Sequence, residues 1–237
     1  MKYAIIAAGE GSRLAQEGVS DPKPLVRVGG ECLVDRLVRI FLDNGAGEVA
    51  VICNDLSPLV GIHLRQRQAA GVPLRVVVKT TPSSMHSLLE LSPLLSEGDE
   101  PFVLTTVDTI FDEADFHRYV SRFQELVDRG EADGLMGVTD YIDDEKPLYV
   151  KVGRADDITA FLDSDPEPRY VSGGIYGLSP RALLTLRGCV DRGESRMRNF
   201  QRALLADGLR LKAWTFGRVL DIDHASDIAK AEALLGR

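Results

Sequence analysis

The first 25 residues bring together the residue types that phosphate chemistry uses. An apolar run, Tyr3-Ala4-Ile5-Ile6, leads into Ala7-Ala8-Gly9-Glu10-Gly11-Ser12-Arg13-Leu14, and Pro22-Lys23-Pro24-Leu25 follows. Small residues at Ala7, Ala8, Gly9 and Gly11 leave backbone N–H groups open to a polyanion, and Ser12 adds a hydroxyl. Arg13 and Lys23 supply fixed positive charge to phosphate oxygens. The combination points to a nucleoside triphosphate. Gly9 and Gly11 taken alone also fit an ordinary strand-to-helix turn. The pattern is not a Walker loop, because no Gly-Lys-Ser/Thr follows at the required spacing. Nor is it a dinucleotide fingerprint, because Leu14 stands where a third glycine is required.

Chemistry on two polyanions calls for a divalent cation held by hard oxygen donors, usually one or two carboxylates with phosphates and water. Asp108 is a candidate because it follows the apolar run Phe102–Val107; a turn or helix-capping aspartate is the other reading of that position. Val219-Leu220-Asp221-Ile222-Asp223-His224 holds a second acidic pair. In a strand, Asp221 and Asp223 would point to the same side. Lys79-Thr80-Thr81-Pro82-Ser83-Ser84 follows another apolar run and opens a helical pattern. There Lys79 and Ser84 are candidates for contact with the nucleotide, while an N-cap by Ser83 or Ser84 explains much of the segment equally well.

The pattern Ala-Ala-Gly-x-Gly-Ser-Arg-Leu with Pro-Lys-Pro-Leu resembles the nucleotidyltransferases that join an NTP to a phosphorylated small molecule. These include sugar-phosphate nucleotidylyltransferases, phosphocholine cytidylyltransferases and molybdopterin guanylyltransferase-like enzymes. The resemblance implies a GT-A-like fold, Mg²⁺ as cofactor, release of pyrophosphate, and catalytic roles for Arg13 and Lys23. It implies a metal-binding role for Asp108. The segment 221–228 resembles a family Asp-Ile-Asp-Thr-Pro-Glu-Asp-Leu stretch, which selects Asp223 as the second ligand, with Asp221 as the alternative. Ser172-Gly173-Gly174-Ile175-Tyr176 resembles the family's Asn-Ala-Gly-Ile-Tyr segment, making Gly174 an acceptor-side candidate. The acceptor end also departs from the family. Asp163-Ser164-Asp165-Pro166 stands where sugar-phosphate members carry Glu-Lys-Pro, so the phosphate-binding lysine is absent. Arg196 or Arg198 could replace it; Arg198 is the candidate named, against the alternative of a solvated helix start. Two other classes of protein remain as alternatives. One is a metal-dependent glycosyltransferase using Asp221-Ile222-Asp223, and the other a regulatory protein that binds nucleotide without turnover.

The elements that must position these residues alternate in the first half. Strands are expected at 2–7, 48–53, 74–78 and 102–107, with helices at 31–43, 57–70, 84–95 and 113–129. Nearly continuous apolar strands between helices predict a Rossmann-like, three-layer α/β fold with a mixed, mostly parallel central sheet. Ligands then bind beyond the carboxyl ends of the strands, where Gly9, Thr80-Thr81 and Asp108 would lie. The second half reads as shorter strands at 135–140, 148–152, 158–162, 170–178 and 209–216. Helices near 180–187, 195–207 and 225–235 accompany them. Residues 1–237 are expected to form a single NTP-transferase domain. A net charge of −8, with 44% hydrophobic and 27% charged residues, is the balance of a water-soluble globular chain and argues against nucleic acid or anionic membrane as partners. No signal peptide or membrane-spanning run is expected. Cys32, Cys53 and Cys189 are odd in number and widely spaced, which suggests reduced thiols and a cytoplasmic setting. A homo-oligomer is compatible with all of this, and no residue selects one.

Overall fold

The structure is a computed structural model that describes residues 1–143 and 145–236. Its first half runs β1 (Lys2–Ala7), α1 (Ser12–Gln16), β2 (Arg27–Val28), β3 (Glu31–Cys32), α2 (Leu33–Asp43), β4 (Val49–Cys53), α3 (Pro58–Ala69), β5 (Leu74–Val78), α4 (Ser84–Leu95), β6 (Phe102–Thr106), β7 (Thr109–Ile110) and α5 (Glu113–Asp128). Then follow β8 (Gly134–Thr139), β9 (Tyr149–Val152), β10 (Ile158–Leu162), β11 (Val171–Leu178), α6 (Ala182–Asp191), α7 (Met197–Ala206), β12 (Leu211–Phe216), β13 (Leu220–Asp221) and α8 (Ala225–Leu234).

Among the described residues, nine strands form one mixed sheet. Strands β6, β1, β4 and β5 run parallel, and β11 joins β6 antiparallel. Strand β11 also pairs with β8, which carries β12 in parallel, while β9 and β10 extend the other end. The alternation of side chains along β1 assigns the two faces. Tyr3, Ile5 and Ala7 enter one core with residues of α2, α3 and α5, including Phe41, Leu64 and Phe116. Ala4 and Ile6 enter the opposite core with Met85, Leu88 and Leu91 of α4 and Phe200 of α7. The expected three-layer architecture follows from these two buried faces.

The chain turns at Gly11 into the short helix α1, the strand-to-helix turn that the glycines alone also fitted. Two further small features were not foreseen from the sequence. A hairpin, β2–β3, precedes α2. Strands β7 and β13 form a two-stranded antiparallel ribbon, pairing Thr109 with Asp221 and Ile110 with Leu220. The ribbon also corrects the expected geometry of the acidic pair: Asp221 ends a strand, and Asp223 lies beyond it in the approach to α8.

Strand β11 divides its pairing, and its register against β8 shifts between Ser172 and Tyr176. Gly174 sits in that interval at φ 70°, a backbone region that side chains disfavour. A Cβ there would also lie 3.1 Å from Thr109 Oγ1, a tight contact that adds to the backbone preference for glycine.

Further along β11, Gly177 lies beneath α5, and a Cβ there would sit 2.8 Å from both Phe123 Cδ1 and Tyr119 Oη. Tyr119 is fully buried and donates to Leu135 O at 2.8 Å, so neither ring has freedom to retreat. Gly177→Ala should therefore destabilise the fold by about 1–3 kcal/mol through overpacking, measured by chemical denaturation. An unchanged midpoint would refute this seating of α5 on the sheet.

Candidate functional site

Five segments converge at the carboxyl edge of the parallel strands. The loop after β1 and the stretches after β5 and β6 all line a cleft of about 510 Å³, which also receives Arg13, Lys23 and Asp223. Of the expected nucleotide-side residues, Ala8, Gly9, Gly11, Ser12 and Ser84 line this cleft. Ala7 and Lys79 do not. Ala7 is buried in the core as the last residue of β1. Lys79 turns to Glu90 on α4, 2.8 Å away. The charge after β5 is thereby drawn to its own neighbouring helix.

The glycines have separable reasons. Gly11 has φ 63°, and a Cβ there would lie 2.9 Å from Lys23 Cβ, so it admits the lysine as well as the turn. At Gly9, a Cβ would enter open space and φ is not positive. Neither packing nor backbone demands glycine at that position. Asn54, which the sequence reading missed, is buried just after β4, and its Nδ2 donates to Ala8 O at 3.1 Å and Gly9 O at 3.2 Å. It anchors the loop's carbonyls. Its only sequence signal was its place after an apolar strand.

At the centre, Lys23 Nζ donates to Asp108 Oδ2 and to Asp223 Oδ1, the latter at 2.7 Å. Arg13 donates to Asp223 Oδ2 at 2.9 Å. Lys23 occupies a single 3₁₀ turn between Pro22 and Pro24 and is nearly buried. Asp108 follows β6, and the β7–β13 ribbon, together with an Ile222 N–H bond to Asp108 O at 3.1 Å, brings Asp223 beside it. Burial alone would lower the Lys23 pKa, but the charges and hydrogen bonds of Asp108 and Asp223 outweigh it and raise the value. Burial alone would raise Asp223, but Lys23 and Arg13 leave its carboxyl below the usual range. Two carboxylates reaching one ammonium form a pair of hard oxygen donors of the kind a magnesium ion takes together with phosphates and water. Among the described residues no group of three or more potential ligands forms a closed metal cage.

A second cleft, about 250 Å³, shares Arg13 and Asp223 with the first. It is lined by Thr139, Tyr141, Ser172, Gly173, Asp221 and the start of α8, among others. Gly174 lines neither cleft and is explained by the pairing shift in β11. Arg198 also lies outside both clefts: it donates to Asp163 Oδ1 at 2.6 Å and to Lys146 O at 2.9 Å. Arg202 reaches the same Asp163 at 2.7 Å, and Lys151 holds Asp165 at 2.8 Å. The acidic loop that stands where a lysine was expected is thus neutralised from within.

Residues 3–171 match the MobA-like NTP transferase domain. The chain belongs to the MobA-like NTP transferase family. It is 28% identical to a bifunctional IPC transferase and DIPP synthase of Rubrobacter xylanophilus, covering 98% of this chain and 51% of that protein. It is 27% identical to a UTP–glucose-1-phosphate uridylyltransferase of Haloferax volcanii, covering 99% and 96%. The chain therefore spans about half the length of the Rubrobacter relative. Among solved structures, the inositol-1-phosphate CTP transferase of T. maritima superposes with TM-score 0.79 at 20% identity, covering 99% of this chain and 94% of that one. The CTP:phosphocholine cytidylyltransferase of Streptococcus pneumoniae gives 0.76 at 15%, covering 99% and 98%. These structures share the fold of this MobA-like NTP transferase. No described helix is long and apolar enough to cross a membrane.

Removing Lys23 would leave two adjacent carboxylates without their shared cation. Lys23→Ala should lower stability at pH 7 by about 1–3 kcal/mol, less than for a fully buried pair because Asp223 is partly exposed. Asp223 has a lowered folded pKa, so its contribution is present above the ordinary carboxylate range and is lost as pH falls through the folded value. The gap between variant and wild type should shrink below about pH 4. Denaturation midpoints across pH 3–8 measure it, and a gap that widened on acidification would refute the assignment.

Proposed function

We propose that this chain is a Mg²⁺-dependent nucleotidyltransferase that joins an NTP to a phosphorylated small molecule and releases pyrophosphate. The observation that carries the reading is the sharing of Arg13 and Asp223 between two clefts, with Lys23 and Asp108 at the edge of one. The larger cleft suits a nucleoside triphosphate. The open space at Gly9 supports close approach of phosphate to backbone. The smaller cleft suits an acceptor with its phosphate at the junction.

In the reaction, an acceptor phosphate oxygen attacks the α-phosphorus in line. The new P–O bond forms as the bond from the α-phosphorus to the bridging oxygen breaks, and pyrophosphate leaves with that electron pair. A phosphate is already an anionic nucleophile, so no general base is required. Asp108 and Asp223 would hold Mg²⁺, which supplies charge neutralisation to the phosphate oxygens. Arg13 and Lys23 both line the larger cleft, which supports a task of positioning and charge stabilisation for each. The relatives' named substrates, glucose 1-phosphate, inositol 1-phosphate and phosphocholine, support a sugar phosphate or phosphocholine-like acceptor. Cys32, Cys53 and Cys189 are buried free thiols, which supports a reducing, cytoplasmic setting.

A panel of CTP, UTP, GTP, ATP and dTTP with Mg²⁺, crossed with phosphorylated acceptors and read by pyrophosphate release, tests the proposal. One pairing should release pyrophosphate. Lys23→Ala and Arg13→Ala should each slow it about 10²–10³-fold, and Asp108→Ala should nearly abolish it. Nucleotide binding without pyrophosphate from any pairing would favour a regulatory binding protein. Wild-type turnover by Asp108→Ala would remove the metal assignment.

A further inference from the structure

The helix that carries Arg13 makes a second connection to the C-terminal acidic segment, one turn further on. Glu17 follows α1 directly, and its carboxylate grips two groups beyond Asp223. Glu17 Oε1 accepts from His224 Nδ1 at 2.6 Å, and Oε2 accepts from the Ala225 N–H at 2.7 Å. Arg13 and Glu17 are four residues apart on one helical turn, so they face the same neighbour. Arg13 holds the Asp223 side chain, and Glu17 holds the backbone that follows it. From the other side, Asp227 Oδ2 accepts the Asp223 N–H at 3.1 Å and the His224 N–H at 2.8 Å. The turn 223–225 is therefore clamped between two carboxylates, one local and one contributed from more than 200 residues away in sequence.

We propose that Glu17 is a positioning residue that fixes Asp223 against Lys23 and Asp108. This inference rests on the nucleotidyltransferase reading above. Glu17 lines neither cleft and, as an anion, would not contact a triphosphate, so its effect must pass through the segment it holds. Asp223 is the most exposed of the groups that meet Lys23, with 42% of its side chain accessible against 19% for Asp108. Nor does it sit within a strand, so ladder hydrogen bonds do not fix it. Lys23 and Arg13 hold its carboxylate, and the clamp holds the backbone from which that carboxylate is aimed. Partners that orient metal-binding carboxylates have a known scale of effect, about 10–100-fold in metal affinity or activity.

Glu17→Ala and Glu17→Gln test the assignment. Turnover and the KM for the NTP are measured alongside Mn²⁺ binding in the presence of NTP by electron paramagnetic resonance. Amide exchange is followed at residues 223–227. Glu17→Ala is expected to lower kcat and weaken Mn²⁺ binding by about 10–100-fold, with KM for the NTP within about twofold. Amide exchange at Ala225 should accelerate. Glu17→Gln keeps a carbonyl acceptor and should recover part of each loss; it carries the same test should the alanine variant not fold. Unchanged kcat and Mn²⁺ affinity in both variants of an active protein would overturn the proposal. So would a fall in thermal stability alone, since that is the mark of a merely structural residue. If the wild-type chain neither binds Mn²⁺ with any NTP nor releases pyrophosphate, the nucleotidyltransferase reading fails, and this inference with it.

Discussion

Everything at the centre of this molecule depends on one ammonium group placed between two carboxylates. Two like charges about 4–5 Å apart repel by roughly 3–4 kcal/mol at an effective dielectric of 20. Asp108 and Asp223 can lie side by side in a partly buried cleft because Lys23 Nζ is hydrogen-bonded to each. That demand reaches back into the fold. Lys23 approaches closely because Gly11 has no Cβ, and the flanking prolines hold it in a single 3₁₀ turn. Asp108 is delivered by the buried strand β6, and Asp223 by a two-residue ribbon fastened to the same segment. The four charges at the centre, two of each sign, come from the N-terminal, middle and C-terminal parts of the chain.

The elements that read clearly in the sequence were those whose own residues decide them. Strand β5 and helix α4 fall where expected, because an unbroken apolar run and a capped periodic pattern are local signals. The loop residues Gly9, Gly11, Arg13 and Lys23, with Asp108 and Asp223, do come together in space. The β7–β13 ribbon was not legible, because strands of two residues have no periodicity. The strand premise behind the same-side argument for Asp221 and Asp223 does not hold, because the strand ends at Asp221 before the period can repeat, although both residues line the smaller cleft.

Lys79, Gly174 and Arg198 line neither cleft. Gly174 was selected by a family motif, Lys79 by its place after an apolar strand and Arg198 by an arginine-rich run, and each has a neighbour that those signals do not contain. Glu90 takes Lys79, the threonines at 106 and 109 crowd Gly174, and Asp163 takes Arg198. A long cation on a surface rich in acids finds the nearest carboxylate, and on this chain, with net charge −8, such carboxylates are abundant. Arg13 and Lys23 avoid that competition by pairing with acids that themselves line the cleft.

Asn54 and Glu17 were invisible for the opposite reason. Neither belongs to a recognisable spacing, and each acts by accepting or donating hydrogen bonds to a segment distant in the chain. A motif records the groups that face a ligand. It does not record what keeps those groups still, because any side chain of suitable reach and charge, from any neighbouring element, does that work equally well. Positioning residues are therefore fixed by the tertiary path of the chain, and only the arrangement of β1, β4 and α8 around the first loop reveals which residues have been given the task.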